Sequence, residues 1–359
     1  MRIGILGGGQ LARMLGLGGI PIGAKFVTLD PAADACAAVV SEHITGNYGD
    51  ISILERFASK VDVITYEFEN VPAKSVKYLA EKKPVYPSPA ALEVSCDRLK
   101  EKTLFRDLGI GTPNFSAVGN IYELKSAARE IGLPSVLKTR TLGYDGKGQA
   151  VLRAESDIEA AWERLGGVNC ILEAFVPFTR EISVIAVRSC TGEIIFYPVS
   201  ENTHKNGILH KAVCTPDDPM QKAAEEYSRK LLEELDYVGV LALELFEANG
   251  KLLANEIAPR VHNTGHWSIE GANTSQFENH IRAVMGLPLG DTSPVEFSAM
   301  VNFIGEIPDA SSVLSIKGAH FHDYGKEAKP GRKLGHATVR RPNKKFMLEG
   351  LNEVLALVN

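Results

Sequence analysis

Cysteine is scarce, and its placement carries no chemistry. Five cysteines (Cys36, Cys96, Cys170, Cys190 and Cys214) are scattered over 359 residues without a C-x-x-C pair. That spacing excludes a zinc ribbon or a redox dithiol and predicts reduced, mostly buried thiols. Positive charge is not in excess either. With 39 Lys and Arg against 44 Asp and Glu, the net charge is -5, so no global field can hold a phosphate backbone and nucleic acid is not an expected partner. No run approaches the ~18 apolar residues of a membrane span, and the opening MRIGILGGG lacks the charged and apolar regions of a secretory signal. A cytoplasmic protein with no membrane partner is expected. Repeats and low-complexity tracts are missing too, and 45% hydrophobic with 23% charged residues excludes disorder, collagen and coiled coil. At about 100 to 200 residues per domain, the chain has room for two or three compact units.

What the sequence does contain is a succession of α/β signals. Residues 3–6 read as a buried strand, followed by a glycine cluster, a helix from Gln10, and a second strand over 25–29 that ends at Asp30. Residues 61–66 form another apolar run, and 84–89 suggest a short strand entering the turn PSP. A boundary falls at 88–96. Helical text begins at Asp97, stops at Gly109 and Pro113, and returns over 161–165 and 221–235. Beyond Gly286, the segments PVEFSAMVNFIG, GAHFHDYG and GHATVRR read as short strands of a small closing piece.

Gly7, Gly9 and Ala12 spell G-x-G-x-x-A after a strand, and Asp30 sits where a ribose-binding acid would lie in a dinucleotide fold. The same glycines equally make a tight turn whose N–H groups bind any anion. A second glycine loop, TRTLGYDGKGQAVL, follows Lys138. It is not a Walker loop, because Gly148 leads into Gln149 and a strand rather than into a helix. It resembles instead the flaps that cover nucleotide phosphates, although an ordinary hairpin would read the same way.

The stretch GVLALELFEANGKLLANEIAPRVHN reads as two strands meeting at Asn249-Gly250. A three-residue loop, Ala248-Asn249-Gly250, is expected. It places Leu241, Leu243 and Leu245 on one face with Leu253 and Ile257, and Glu244 with Glu256 on the other, whereas a two-residue turn would split the leucines. Facing carboxylates repel unless a cation lies between them. Magnesium with nucleotide phosphates suits that place, since it needs only one or two carboxylates. The alternative is that one glutamate merely caps a strand or pairs with Arg260.

Seven blocks then occur in order: GILGGGQLARM (4–14), TYEFENVP (65–72), DRLKEK (97–102), LKTRTLGYDGKGQ (137–149), ENTHKNGI (201–208), NEIAPRVHNTGHW (255–267) and PGRKLGHAT (330–338). Together they resemble the ATP-grasp superfamily and, within it, the ribonucleotide-carboxylating ligases of purine biosynthesis. The resemblance covers nearly the whole chain; Leu142 stands where many relatives have glycine, which would stiffen the flap. It implies an α/β chain with the ATP-grasp fold: a Rossmann-like pre-ATP-grasp domain (1–95), an ATP-grasp domain (96–290) and a small C-terminal closing subdomain (291–359). It also implies a reaction, in which ATP and bicarbonate give carboxyphosphate and the carboxyl carbon passes to the exocyclic amine of 5-aminoimidazole ribonucleotide. Two magnesium ions and a homodimer belong to the same expectation.

The resemblance further implies roles by position. Arg98 and Lys138 would touch ATP phosphates beneath a flap of Gly143, Tyr144, Asp145, Gly146, Lys147, Gly148 and Gln149. Glu173, Ala174, Phe175 and Val176 would present groups to adenine, Glu181 would hold the ribose, and His204 belongs to the nucleotide site. Glu244 and Glu256 would bind magnesium with Asn255 beside them, and Arg260 would stabilise the transferring phosphoryl group. Tyr144, Asp145, His262, Asn263 and Gln10 would face the ribonucleotide, with Lys333 and Arg340 on its phosphate. Asp145 would take a proton from the amine, or else merely brace the flap. Glu67, Glu69 and Asn70 lie just past a strand end, where α/β ligands bind, and would serve equally as helix caps. The rivals are a formate-dependent ATP-grasp ligase acting on a glycinamide ribonucleotide and a nicotinamide-dependent oxidoreductase built on the first glycine motif and Asp30.

Overall fold

In the computed structural model, which describes residues 1–143 and 148–358, the chain builds three sheets. The first is parallel, in the order β3-β2-β1-β4, from β1 (Arg2–Leu6), β2 (Lys25–Asp30), β3 (Glu42–Thr45) and β4 (Val63–Tyr66). Beyond the exposed Arg2, the central strand β1 is apolar and buried because both faces are covered. Ile3 and Ile5 enter one core with Leu11 and Leu15, while Leu6 enters another with Leu54 and Phe57. The strand expected over 84–89 is instead a single bridge from Ile64 to Val85. Pro87 and Pro89 have no N–H with which to extend it, and Ser88 caps the helix Pro89–Ser95.

The second sheet is antiparallel and holds β5 (Phe115–Val118), β6 (Ser135–Thr139), β7 (Gln149–Leu152) and β8 (Cys170–Ala174) in the order β5-β8-β6-β7. The third contains β9 (Arg180–Arg188), β10 (Ile194–Phe196), β11 (Ser200–Lys205), β12 (Ile208–Cys214), β13 (Gly239–Ala248) and β14 (Lys251–Ala258). It continues into β15 (Phe297–Ile304), β16 (Ala319–Asp323) and β17 (Lys333–Arg341), because β15 pairs with β12. The C-terminal strands therefore extend the large sheet rather than form a sheet of their own, and the helix Lys344–Leu357 buries Met347, Leu351 and Val354 against them.

The β13–β14 hairpin differs from the expected three-residue loop. It closes through a two-residue turn, Asn249 and Gly250, both left-handed at φ 53 and 71, with Ala248 opposite Lys251 and Leu245 opposite Ala254. Asn255 then bulges, so that Glu244 faces Glu256 and Leu243 faces Ile257. Leu252, rather than Leu253, joins Leu245 in the core. One extra residue anywhere in a strand inverts the facing of every residue beyond it, so the bulge brings the carboxylates together as the odd loop was expected to do.

His280, on the helix Gln276–Met285, ties the first sheet to the third. Its Nδ1 accepts from Val240 N at 3.1 Å, which leaves Nε2–H to donate to Thr65 Oγ1 at 2.9 Å. Burial pushes its pKa down to about 4. All five thiols are free, but only Cys170 and Cys214 are buried; Cys36 and Cys96 are half-buried and Cys190 is exposed. Among the described residues, no helix is long and apolar enough to cross a membrane.

Candidate active site

A cleft of about 900 Å³ is lined by residues of the second and third sheets and by the segments that follow β1 and β4. At one end, Lys138 lies near the end of β6 and its Nζ is 3.0 Å from Glu173 Oε2 on β8, with the buried Lys102 Nζ at 3.4 Å from the same oxygen. Burial opposes ionisation of Glu173, but the charges of Lys102 and Lys138 outweigh it and hold the carboxyl at about 2. Ala174, Phe175 and Val176 continue the wall. Phe178 stacks on Phe246 at 4.7 Å and 7°, a flat apolar surface beside Glu181. Glu181 is hydrogen-bonded to His204 across β9 and β11.

Gly143 and Gln149 border the cleft at the two ends of the glycine loop. Tyr144, Asp145, Gly146 and Lys147 lie outside the described residues. Gly148 has φ 71, and its carbonyl accepts from Thr139 N at 2.8 Å, which pins the loop's return. Leu142 takes φ 64, a left-handed conformation that glycine adopts without strain.

Arg98 is the first residue of the helix Arg98–Asp107. Asp97 caps that helix by accepting from Leu99 N at 3.0 Å while pairing with Arg140, so Arg98 leaves the helix start pointing into the cleft, where its Nη1 lies 2.8 Å from Glu256 Oε2. Burial and the charge of Glu256 push Glu244 up to about 7; at Glu256 burial also opposes ionisation, but Arg98 prevails and lowers the pKa. Asn255 Oδ1, beside this pair, is buried with no hydrogen bond. Two facing carboxylates and an orphaned amide oxygen are hard oxygen donors of the kind that magnesium takes.

Arg260 is gripped from the loop after β4. Its Nε and Nη2 donate to Glu69 at 2.6 and 3.1 Å. His262 caps the turn Asn263–Gly265, accepting at Nδ1 from Thr264 N at 3.4 Å, so that Nε2–H faces Glu244 Oε1 at 3.2 Å. Burial, then the charges of Arg260 and Lys333, hold His262 neutral. Asn263 makes a reciprocal amide pair with Asn302 at 3.0 and 2.7 Å.

The other end of the cleft departs from expectation in two ways. First, the N–H groups of the N-terminal glycine turn are already used. Gly8 N donates to Asp30 at 2.9 Å, while Gly9 N and Ala12 N donate to the buried Glu67. Asp30 also accepts from Ala32 N and the Tyr48 hydroxyl, so it is a brace for the turn and not an acid awaiting a ribose. Gln10 and Leu11, just after that turn, line the cleft, and Gln10 accepts there from Lys326. Second, Arg340 is not at the cleft. A bulge at Leu334 puts Lys333 and Arg340 on one face of β17, but seven strand positions separate them by about 20 Å. Arg340 instead donates to the Glu270 carbonyl at 2.9 Å and pairs with Glu296 at 3.2 Å. At this end Lys326, Lys329 and Arg332 line the cleft with Lys333. Their signal was the density of basic residues in KEAKPGRK (326–333).

The antiparallel sheet with its glycine loop, set against a larger sheet with paired carboxylates, defines the ATP-grasp class. Three family models match in order: "Ribonucleotide synthetase preATP-grasp domain" over residues 1–96, "ATP-grasp domain" over 103–277 and "Phosphoribosylaminoimidazole carboxylase C-terminal domain" over 298–349. The chain belongs to the N5-carboxyaminoimidazole ribonucleotide synthase family. It is 55% identical over 358 residues to that synthase from Pseudomonas aeruginosa, covering 100% of this chain and 99% of the relative. The solved synthetase from Thermus thermophilus superposes with a TM-score of 0.96 at 52% identity, covering 99% of this chain and 98% of that one. The synthase from Aspergillus clavatus, solved in complex with ADP and 5-aminoimidazole ribonucleotide, gives 0.92 at 30% identity over 99% and 98%.

Proposed function

We propose that this enzyme uses ATP to carboxylate the exocyclic amine of 5-aminoimidazole ribonucleotide in purine biosynthesis, with bicarbonate as the carbon source and carboxyphosphate as the activated form. The observation that carries the reading is the shared cleft in which the Lys138–Glu173 pair, the Glu244–Glu256 pair, Arg260 and the cationic loop of residues 326–333 converge. Arg98 and Lys138 bind the phosphates, and the walls formed by Glu173 to Val176, with Glu181 and His204, take the nucleoside. Glu244 and Glu256, with Asn255, would hold magnesium, which would supply positive charge against the nucleotide phosphates. Arg260 faces the transferring phosphoryl group and the carboxyphosphate, and neutral His262 beside it turns its Nε2–H to Glu244. Lys326, Arg332 and Lys333 take the ribonucleotide phosphate, and Gln10 orients Lys326. Asp145 on the flap is proposed as the base that takes the amine proton as the C–N bond forms, and Tyr144 as its neighbour on the substrate.

The same reading carries the division at 1–95, 96–290 and 291–359, a homodimer and a cytoplasmic location; light scattering and cell fractionation test the last two. The test of function is ADP release with Mg-ATP and bicarbonate, with and without the ribonucleotide. Strong stimulation by the ribonucleotide is expected. Its absence, with ATP still bound, would redirect the search to other amine acceptors.

A further inference from the structure

The proposed role of Arg260 leaves open what aims its guanidinium, and the answer lies in the loop after β4. Glu69 Oε2 accepts from Nε at 2.6 Å and Glu69 Oε1 from Nη2 at 3.1 Å, a bidentate pair between residues 191 positions apart. The second Nη takes the carbonyl of Val261 at 3.2 Å. A guanidinium has five N–H groups in a rigid plane, so these three bonds leave one N–H on each Nη, and a planar fork fixed along one edge cannot rotate about its own axis. Glu69 is itself tethered, since its backbone carbonyl accepts from Cys96 Sγ at 2.7 Å. Both side chains border the cleft, and neither is much exposed, at 24% for Glu69 and 16% for Arg260. Burial opposes a charge on Glu69, and Arg260 outweighs it by charge and hydrogen bond, so the carboxylate stays ionised.

We infer that Glu69 is a positioning residue: it locks the guanidinium of Arg260 so that its two remaining N–H groups meet the anion formed from bicarbonate and the transferred phosphoryl group. The inference rests on the reading of Arg260 given above. It also makes the loop after β4 a participant in phosphoryl transfer. Glu67, two residues earlier, holds the glycine turn at the ribonucleotide end, so one short segment braces both ends of the cleft.

Glu69→Gln preserves length and one acceptor oxygen but removes the charge-assisted fork. Its kcat should fall ~10- to 100-fold, the cost of a catalytic group misplaced by about an ångström. KM for ATP should stay within about twofold, and KM for bicarbonate should not rise, because an unneutralised guanidinium still attracts the anion. In an Arg260→Lys background, Glu69→Gln should cause no further loss, since no fork remains to be aimed. An unchanged kcat in Glu69→Gln, or a loss of the same factor in both backgrounds, would overturn the inference. Should Arg260→Lys alone prove harmless, the assignment of Arg260 falls first, and the inference with it. If the Gln variant does not fold, Glu69→Asp carries the test: it keeps the charge but is one methylene too short for both bonds, and an intermediate kcat is expected where full activity would refute the role.

Discussion

Glu244 faces Glu256 across the β13–β14 hairpin because Asn255 bulges out of β14. In the regular register set by the turn, Asn255 would stand opposite Glu244 and the second carboxylate would point into the leucine core. The bulge brings both acids to the cleft, where burial and the charge of Glu256 push Glu244 up to about 7. The pair is thus held in mutual repulsion that a cation would relieve.

Glu256→Gln should lower turnover by at least ~100-fold, comparable to removing one preorganised electrostatic contact from a transition state, and should weaken the dependence on magnesium. Because Glu256 borders solvent in the cleft, the melting temperature should change little. ADP release across a magnesium series, beside a thermal melt, checks both; normal turnover in the variant would remove Glu256 from the site.

Arg332 and Arg340 make a discriminating pair. Arg332→Ala should raise KM for the ribonucleotide ~10- to 100-fold, the worth of a hydrogen bond to a charged group, and leave KM for ATP nearly unchanged. Arg340→Ala should leave both alone, because Arg340 is engaged with Glu296 and the Glu270 carbonyl. Steady-state kinetics showing the reverse ranking would restore the placement of the phosphate at Arg340.

His280 predicts an acid-sensitive joint between the first and third sheets. It stays neutral when folded, with a pKa pushed down to about 4 by burial, against a usual value near 6.5. Between those values the unfolded chain binds the extra proton, so the stability held above pH 6.5 is lost as pH falls toward 4, on the order of 3 kcal/mol in all. Urea unfolding from pH 7 to 4 should show this slope, and His280→Gln should have a shallower one. Parallel slopes in parent and variant would show that other groups are responsible.

A nicotinamide dinucleotide at millimolar concentration should leave the melting temperature unmoved, since Asp30 and Glu67 already occupy the turn. Mg-ATP at 100 times its Kd should add about 2.7 kcal/mol to stability and raise the melting temperature by a few degrees. Stabilisation by the dinucleotide would revive the oxidoreductase reading.

Much of this was local and therefore legible. Short apolar runs announced β1 and β2, the glycine turn announced the helix at Gln10, and Asn249-Gly250 announced the hairpin. The residues of the nucleotide end follow one another closely in β6, β8 and the segment after it, so the family blocks carried them together. The C-terminal helix was missed although Asn343 caps it and Met347, Leu351 and Val354 mark its buried stripe at helical spacing; that pattern was readable.

The remainder was decided by contacts between residues far apart in the chain. No local pattern reveals that Glu67 fills the glycine turn, that Lys326 reaches Gln10, or that Glu69 grips Arg260. Nor does it place bulges at Asn255 and Leu334, because a bulge depends on the partner strand as much as on its own residues. By itself the sequence determined the elements, the class of chemistry and the candidate ligands, since propensity, apolar periodicity and turn residues act over a few positions. Only the tertiary structure decided which carboxylate answers which cation, because that depends on where a packed backbone leaves each charge once water has been excluded.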